Sequence, residues 1–264
     1  MLNENKFSKY LLYAIGEILL VVIGILIALQ INNWNLNKIE KRQEFKILQD
    51  LKVEFQANHK EALRIYNVHV TNLLAIKKLQ EESELEIHVV DSLLVYLFNI
   101  ASYTPKPGAS NSLINSGKLS IITNKELRNE LTTWSGIVED LYDDEDEAKT
   151  YTIQTITPFL AKHYPIINLE IKEKQILSSG SGWNENQEIP YEDWYSNAEL
   201  KKDYNLNELL KNLTFQSHIS AKKLFSIHCA SEATYVINAA EKIVNLIDFE
   251  INDYEKNNEE LVTE

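Results

Sequence analysis

The sequence predicts an all-α protein in which a single N-terminal transmembrane helix precedes an antiparallel bundle of three long helices plus shorter helices. Three observations predict this class. An unbroken apolar stretch lies near the N-terminus, long helical repeats of apolar positions fill most of the remaining chain, and only seven glycines and five prolines interrupt the 264 residues. So few turn-forming residues favour long regular elements over a turn-rich β fold.

The chain divides into four predicted segments. We assign 1–9 to an N-terminal tail, 10–31 to the transmembrane helix, 32–258 to the helical-bundle domain and 259–264 to a frayed tail. At about 1.5 Å per residue the second segment spans roughly 33 Å, enough for a hydrocarbon core of about 30 Å. A buried soluble helix would carry a polar stripe, and a cleaved signal peptide would have a shorter apolar region. We therefore expect one uncleaved anchor.

One side of this span carries a carboxylate and two small residues. Glu17, Gly24 and Ala28 follow one another at steps of seven and four, which places them on one side of a helix. The pair Gly24 and Ala28 allows close approach of a second helix. A charged carboxylate is costly in lipid, so Glu17 is expected to be neutral if it faces lipid. It would hydrogen-bond across a homodimer or under the headgroups, contact a membrane partner, or relay protons.

A helical seam, meaning a row of apolar positions at steps of three and four, follows the span from about 36 to 82. Its polar members favour a bundle of several helices over a simple two-stranded coil. The predicted helix continues the span or joins it at "NNWN" (32–35). The seam comprises Leu48, Leu51, Phe55, Asn58, Ala62, Ile65, His69, Asn72, Ile76 and Leu79.

Shorter elements and the second long helix come next. We predict a helix over 87–102, a break at "TPKPG" (104–108) and a short helix within 109–118. A capping box of Thr123 and Glu126 opens the second long helix. Pro158 should kink or restart this helix, and Pro165 should end it. The segment 166–177 is predicted as either a short strand or a helix. The predicted buried stripe is Leu127, Leu131, Trp134, Val138 and Leu141.

The third long helix is predicted over 207–256, after a surface loop over 178–195. The loop holds four aromatic residues, Trp183, Tyr191, Trp194 and Tyr195. They either pack against the bundle or, if exposed, form an interaction loop. The predicted seam of the third helix is Ile227, Ala230, Thr234, Ile237, Val244, Ile247, Ile251 and Tyr254.

A search for chemistry finds no phosphate-binding loop, redox thiol pair, zinc-protease motif or nucleophile elbow in the sequence. His69, His228 and Cys229 would need convergence from two helices to bind a metal, and ordinary bundle histidines are the preferred interpretation. The seven carboxylates of 139–149 lack the glycine and spacing of a calcium loop, so a solvated helix face is preferred to loose cation binding. We predict no cofactor, no metal and no enzymatic activity.

The net charge of −13 further restricts the class of partner. Charges cancel within 1–31, so the acidic excess belongs to the part after the span. An acidic surface repels phosphate backbones, which argues against binding to nucleic acid. The single Cys229 cannot form an internal disulfide, and it says little about the compartment.

Two stretches resemble a known family. "KYLLYAIGEILLVVIGILIALQINNWN" (9–35) and "LINSGKLSIITNKELRNEL" (113–131) are similar to an uncharacterised family of single-span inner-membrane proteins of Bacteroidota, classed as a domain of unknown function. The resemblance implies a bacterial inner-membrane location and a periplasmic bundle, and it transfers no catalytic residues.

The basic residues flanking the span are nearly balanced and lean towards a cytoplasmic C-terminus. We expect the periplasmic orientation.

The preferred functional hypothesis is a membrane-anchored, non-enzymatic envelope protein. Its helical domain would bind a partner or ligand, and its span would contact itself or a membrane protein. The alternative is a signal-input or proton-coupled subunit, in which changes pass between the bundle and the membrane helix. A closed bundle would favour either of these over an enzyme, whereas a cleft with convergent histidines or carboxylates would favour an enzyme.

Overall fold

The computed structural model describes residues 4–81, 86–106, 108–178, 199, 201 and 204–263. Every regular element in these residues is helical, which confirms the all-α class. Turns of 3-10 helix cover Tyr96–Phe98 and Leu119–Ile121, and a π-helical segment covers Thr152–Ile156. The α helices are α1 (Glu4–Glu81), α2 (Ile87–Val95), α3 (Ala109–Asn115), α4 (Lys125–Tyr151), α5 (Thr157–His163), α6 (Ile167–Ser178), α7 (Leu206–Lys211) and α8 (Leu213–Thr263).

Helix α1 joins the apolar stretch and the first bundle helix in one element of 78 residues. Its backbone stays helical through 32–35, so no joint forms at "NNWN". The apolar part is long enough to cross a membrane, and none of its most apolar window is buried by the rest of the chain. Among the side chains of α1 whose burial the structure describes, from Leu11 onward without Leu12, the first buried one is Glu44, and the seam begins at Leu48. One rigid element therefore connects the exposed apolar part to the bundle core.

The three long helices pack as predicted, with α8 antiparallel to both α1 and α4. Contacts between α1 and α8 run from Phe45 with Tyr254 to Gln80 with Ser220, so the two helices run in opposite directions. Lys52 Nζ lies 2.6 Å from Asp248 Oδ1 along the same interface. These pairings fix the register of α8 against α1.

The seam predicted for α1 is correct. All ten of its members are buried, from Leu48 to Leu79. The buried apolar residues around it form two clusters. The first cluster surrounds Phe55 and Trp134, whose rings meet edge to face at 5.0 Å, and the second surrounds Ile76 and Phe215.

The start of α4 differs from the prediction. The N-cap is Asn124, whose Oδ1 accepts a hydrogen bond from the Leu127 N–H at 3.0 Å. Thr123 instead donates from its N–H and its hydroxyl to Glu44 Oε1, at 2.5 and 2.8 Å. Both residues are good capping types, and the contact with α1 decides which of them caps the helix.

The far end of α4 bears out the proline predictions. The chain widens into a π-helical segment over Thr152–Ile156, and α5 then starts with Pro158 in its first turn. Proline lacks an N–H and crowds the carbonyl four residues earlier, so a regular α-helix cannot pass through it undisturbed. Helix α5 ends at His163, before Pro165. The segment 166–177, for which both a strand and a helix were predicted as alternatives, forms the helix α6.

The seam predicted for α8 is correct in part. Ala230 and Ile247 are buried, but at other positions the buried row lies about one residue away. Ile227 is 43% exposed and Thr234 is also exposed, whereas Lys222 and Ser226 are buried. The row of positions that is buried in α8 contains polar and small residues. Its apolar periodicity in the sequence is therefore weaker than that of the adjacent row. The buried row is Phe215, Ile219, Lys222, Ser226, Cys229, Ala233, Val236, Ala240, Ile243 and Ile247.

Candidate functional site

The predicted contact face of the span lies on the exposed part of α1. Glu17, Gly24 and Ala28 are all exposed, and a Cβ placed on Gly24 would meet no atom within 4 Å. No part of the described chain covers this face. Its role in contacting a second helix therefore stays a prediction, to be tested outside the isolated chain.

The predicted interaction loop lies outside the described residues. Its four aromatic residues, Trp183, Tyr191, Trp194 and Tyr195, fall within 179–198.

A layer of buried polar side chains separates the two apolar clusters of the bundle. It draws on all three long helices and on the π-helical segment, and each member is buried. Buried polar groups need hydrogen-bond partners, so this layer constrains how the three helices fit together. Its members are His69, Asn72, Glu145, Thr152, Lys222, Ser226 and Cys229.

Glu145 lies at the centre of this polar layer. Its Oε1 is 3.2 Å from Nε2 of His69 on α1, and its Oε2 accepts a hydrogen bond of 2.7 Å from the N–H of Tyr103. Both side chains are buried, with Glu145 only 3% exposed. The carboxylate thus links α4 to α1 and to the segment between α2 and α3.

Lys222 brings α8 into the same layer. Its Nζ donates to Oγ1 of Thr152 at 2.8 Å, and that hydroxyl in turn donates to the carbonyl of Ala148. Among the described residues no carboxylate lies within ion-pair distance of Lys222. Burial lowers the pKa of the Lys222 ammonium from its ordinary value to about 8, because the charged form loses its hydration.

Cys229 is the buried thiol of this layer. Burial raises the pKa of its thiol to about 12, and the neighbouring carboxylates of Glu145 and Asp144 act in the same direction. Thiolate is the reactive form, so a thiol with a raised pKa is a poor nucleophile and a poor metal ligand. Within the part of the chain described, no group of three His, Cys, Asp or Glu side chains is placed to hold a metal ion.

Acceptors on α1 hold the segment that connects α2 to α4. Oε2 of Glu54 accepts from the Ser110 N–H at 3.1 Å, and its other oxygen accepts from the Ser110 hydroxyl. Oδ1 of Asn58 accepts from the Lys106 N–H at 2.7 Å. These bonds satisfy backbone donors that helix and sheet ladders leave unpaired. The segment is thereby fastened along the side of α1.

A second polar cluster ties the shorter helices together. Oδ1 of the buried Asp91 on α2 accepts from the hydroxyls of Tyr164 and Tyr204, at 2.5 and 2.7 Å. Burial, followed by the adjacent Asp91 carboxylate, raises the pKa of both phenols. The two tyrosines therefore remain hydrogen-bond donors at neutral pH, and the cluster has a structural role.

The sequence interpretation treated 139–149 as a solvated helix face, and Glu145 is the exception that it missed. The signal is present in the sequence, because Glu145 follows Leu141 at the next step of the buried stripe of α4. The sequence also contains the signal for Lys222, which lies three residues after Ile219 in the buried row of α8. Glu145 was interpreted as part of a solvated face because of its charge, and Lys222 was not singled out, although helical phase places both side chains in buried rows.

Comparison with known proteins gives one match. Residues 17–178 match a family described as a family of unknown function (DUF6090), and this range covers α1 from Glu17 onward and continues to the end of α6. No curated protein and no solved structure matches the chain.

Proposed function

Because this chain belongs to that family of unknown function, we propose its role from the geometry of its first helix. We propose that it is a membrane-anchored, non-enzymatic protein of the bacterial envelope. Its helical bundle binds a protein partner or ligand, and its span contacts a second copy or another membrane protein. The observation that carries the proposal is the unbroken course of α1, from an exposed apolar segment into the bundle core.

The exposed apolar surface of α1 supports anchoring. Large apolar side chains are exposed at nearly every position from Leu11 to Ile31, on all sides of the helix. A monomer in water rarely exposes a continuous apolar surface of this size. A bilayer covers such a helix on every side, while its internal hydrogen bonds satisfy the backbone. Lipid is therefore the environment that best matches this half of α1.

The contact face supports a membrane partner. An apolar helix anchors without Glu17, and a carboxylate within the span opposes insertion by roughly 2.5–3.5 kcal/mol at the bilayer centre. A function that offsets this cost is a hydrogen bond to a second helix, which Gly24 and Ala28 allow to approach closely. The resemblance to inner-membrane proteins supports a periplasmic position of the bundle.

Affinity purification from solubilised native membranes tests this function. Full-length wild-type protein and the Glu17→Gln variant are isolated under mild detergent, and the co-purified proteins and the self-association are compared. We expect one partner or a homodimer with the wild type, and a weaker yield with Glu17→Gln at equal membrane insertion. Recovery of the monomer alone from wild-type membranes contradicts the proposal.

The continuity of α1 also favours a second candidate, a signal-input subunit. Without a joint at 32–35, a rotation or tilt of the span reaches the seam of the bundle directly. The test uses Ala28→Cys in a Cys229→Ala background, so that oxidation links two spans. Transmission predicts altered amide hydrogen exchange around Glu145 after linking, and no alteration when Asn33→Pro breaks the helix. Unaltered exchange in the linked protein with an intact α1 rejects this candidate.

A further inference from the structure

A groove of about 390 Å³ lies at the neck of the molecule, where α1 leaves the bundle. The part of α1 from Trp34 to Leu48 lines one side, and the stretch of α8 from Glu250 to Tyr254 lines the other, with Thr123 at the edge. Within this lining the rings of Phe45 and Tyr254 stack with centroids 4.3 Å apart. The neck groove is thus built by two packed helices.

Three cationic side chains line the neck groove, namely Lys38, Lys41 and Arg42. All three are exposed, and none forms an ion pair within the described part of the chain. Lys38 Nζ lies 5.2 Å from the centroid of the Trp34 ring, in a cation–π contact. These cations are available to an anion that enters the groove.

The lining also contains three carboxylates, and two of them are held by neighbouring groups. Glu44 accepts two hydrogen bonds from Thr123, and Glu250 accepts one of 2.7 Å from the Asn124 amide. The third, Asp253, lies on the exposed side of α8. Lys38, Lys41 and Arg42 precede Glu44 along α1, so they are the lining charges of this helix nearest the apolar segment.

The side chain of Lys38 leans towards the apolar segment. Side chains on an α-helix tilt towards its N-terminus, and in α1 the apolar segment lies in that direction. The position of Lys38 over Trp34, one turn earlier, shows this tilt directly. Lysine and arginine side chains behave in this way where a helix meets the headgroup region.

Below the neck groove, the exposed surface of α1 continues towards the apolar segment. This surface shares Trp34 and Asn37 with the neck groove and is formed by α1 alone, with Leu26, Leu29 and Ile31 beside Gln30 and Asn33. A path therefore leads from apolar side chains, past an interfacial tryptophan, to three cations. This sequence of environments matches an amphiphile with an anionic head and an acyl tail.

We propose that the neck groove binds the phosphate of a membrane phospholipid, with an acyl chain of the same lipid along the exposed apolar side chains of α1 below. This inference rests on the proposed membrane anchoring. The phosphate oxygens accept hydrogen bonds from Lys41 and Arg42, and the stem of Lys38 packs on Trp34. The exposed apolar side chains of α1 next to the cations favour a lipid over a free phosphate ion, because only a lipid contacts both surfaces.

Native mass spectrometry of the full-length protein in non-ionic detergent tests the assignment. The probes are phosphatidylglycerol, diacylglycerol with the same chains, and inorganic phosphate. The test variant combines Lys41→Gln with Arg42→Gln, and the matched control combines Lys46→Gln with Lys60→Gln, which removes two exposed charges of α1 outside the groove. Circular dichroism checks that both variants keep the wild-type helix content.

We expect phosphatidylglycerol to bind the wild type and the control equally, and the test variant roughly twentyfold more weakly. Diacylglycerol should not bind at this site, and inorganic phosphate should not displace the lipid. Equal binding to the test variant and the control overturns the assignment, and displacement by inorganic phosphate overturns its lipid component. The proposed function fails separately, if the wild-type protein is absent from the membrane fraction.

Discussion

His69 and Glu145 lie 76 residues apart in the chain, and their side chains meet at 3.2 Å inside the bundle. This contact joins α1, which carries the apolar segment, to α4. It lies between two apolar clusters that would otherwise form one continuous core. Polar contacts of this kind fix the register of packed helices, because a shifted helix leaves buried groups without partners.

Replacement of Glu145 by alanine should therefore be strongly destabilising. The change leaves the N–H of Tyr103 and the ring of His69 without their buried acceptor, at a cost of about 3 kcal/mol. For a chain of this size this corresponds to a fall in the unfolding midpoint of roughly 6–12 °C. Thermal unfolding followed by circular dichroism in detergent measures it. The exposed Glu147→Ala is the matched control, with an expected change below about 0.5 kcal/mol, and equal midpoints for the two variants contradict the structure.

Lys222 predicts a dependence of stability on pH. Its pKa is about 8 in the folded chain against 10.5 when unfolded, so the unfolded state binds more protons between these values. Below pH 8 the cost of burying the charged ammonium is fully present and lowers the free energy of unfolding. Above pH 8 the free energy of unfolding therefore rises, by about 2 kcal/mol at a pH of about 9.5. Lys222→Met should be more stable than the wild type at neutral pH, because it removes a buried charge without a carboxylate partner.

Urea unfolding of the wild type and Lys222→Met across this range measures the difference directly. The gap in unfolding free energy should narrow by about 2 kcal/mol as pH rises from about 7 to about 9.5. Apart from Lys222, the titratable groups are the same in both proteins. The exposed Lys149→Met serves as the control and should show no pH-dependent gap. If the difference in unfolding free energy between the wild type and Lys222→Met stays constant across this range, Lys222 is not a buried ammonium.

The fold is predicted from sequence where large apolar side chains dominate a helical row. The seam of α1 and the effect of Pro158 follow from local patterns, so both predictions are correct. The choice of Asn124 over Thr123 as the cap of α4 depends on Glu44, which lies 79 residues before Thr123, and no local pattern contains this contact. The buried row of α8 includes Lys222, whose charge conceals a position that helical phase alone would assign to the interior.

The candidate sites also divide into residues that a local sequence pattern marks and residues that depend on contacts between distant elements. Glu17 and Gly24 can be singled out from the sequence, because a carboxylate and a glycine are unusual within an apolar helix. Their partner lies outside the chain, so neither the sequence nor the fold identifies it. The burial of Glu145 depends on His69 and Tyr103, which belong to other elements. Composition marks it only as one acid among seven.

Close approach of two spans predicts sensitivity at Gly24. Gly24→Leu adds a bulky side chain to the contact face and should lower disulfide linking through Ala28→Cys, in a Cys229→Ala background, by roughly fivefold. Val22→Leu adds bulk on the opposite side of the helix and is the control. Linking yields are read from non-reducing gels of whole membranes. Equal yields for Gly24→Leu and Val22→Leu reject the contact face.

The periplasmic orientation predicts the behaviour of a reporter fused after Glu264. Alkaline phosphatase, which needs disulfides to be active, should be active at this position, because oxidising conditions hold on that side of the membrane. A fusion of green fluorescent protein at the same position provides the reciprocal control and should be dark after export through the general secretion route. Inactive phosphatase together with bright fluorescence places the bundle in the cytoplasm.

The most direct test of the account is alkaline carbonate extraction of membranes that contain the full-length chain, followed by intact-mass measurement of the recovered protein. As a permanent anchor, the apolar part of α1 is continuous with the bundle. Such an anchor predicts that the protein stays in the carbonate-washed pellet, with a mass that includes residues 10–31. Recovery in the soluble fraction, or a mature chain that has lost these residues, would contradict it, because the apolar segment would then be a peripheral or cleaved element.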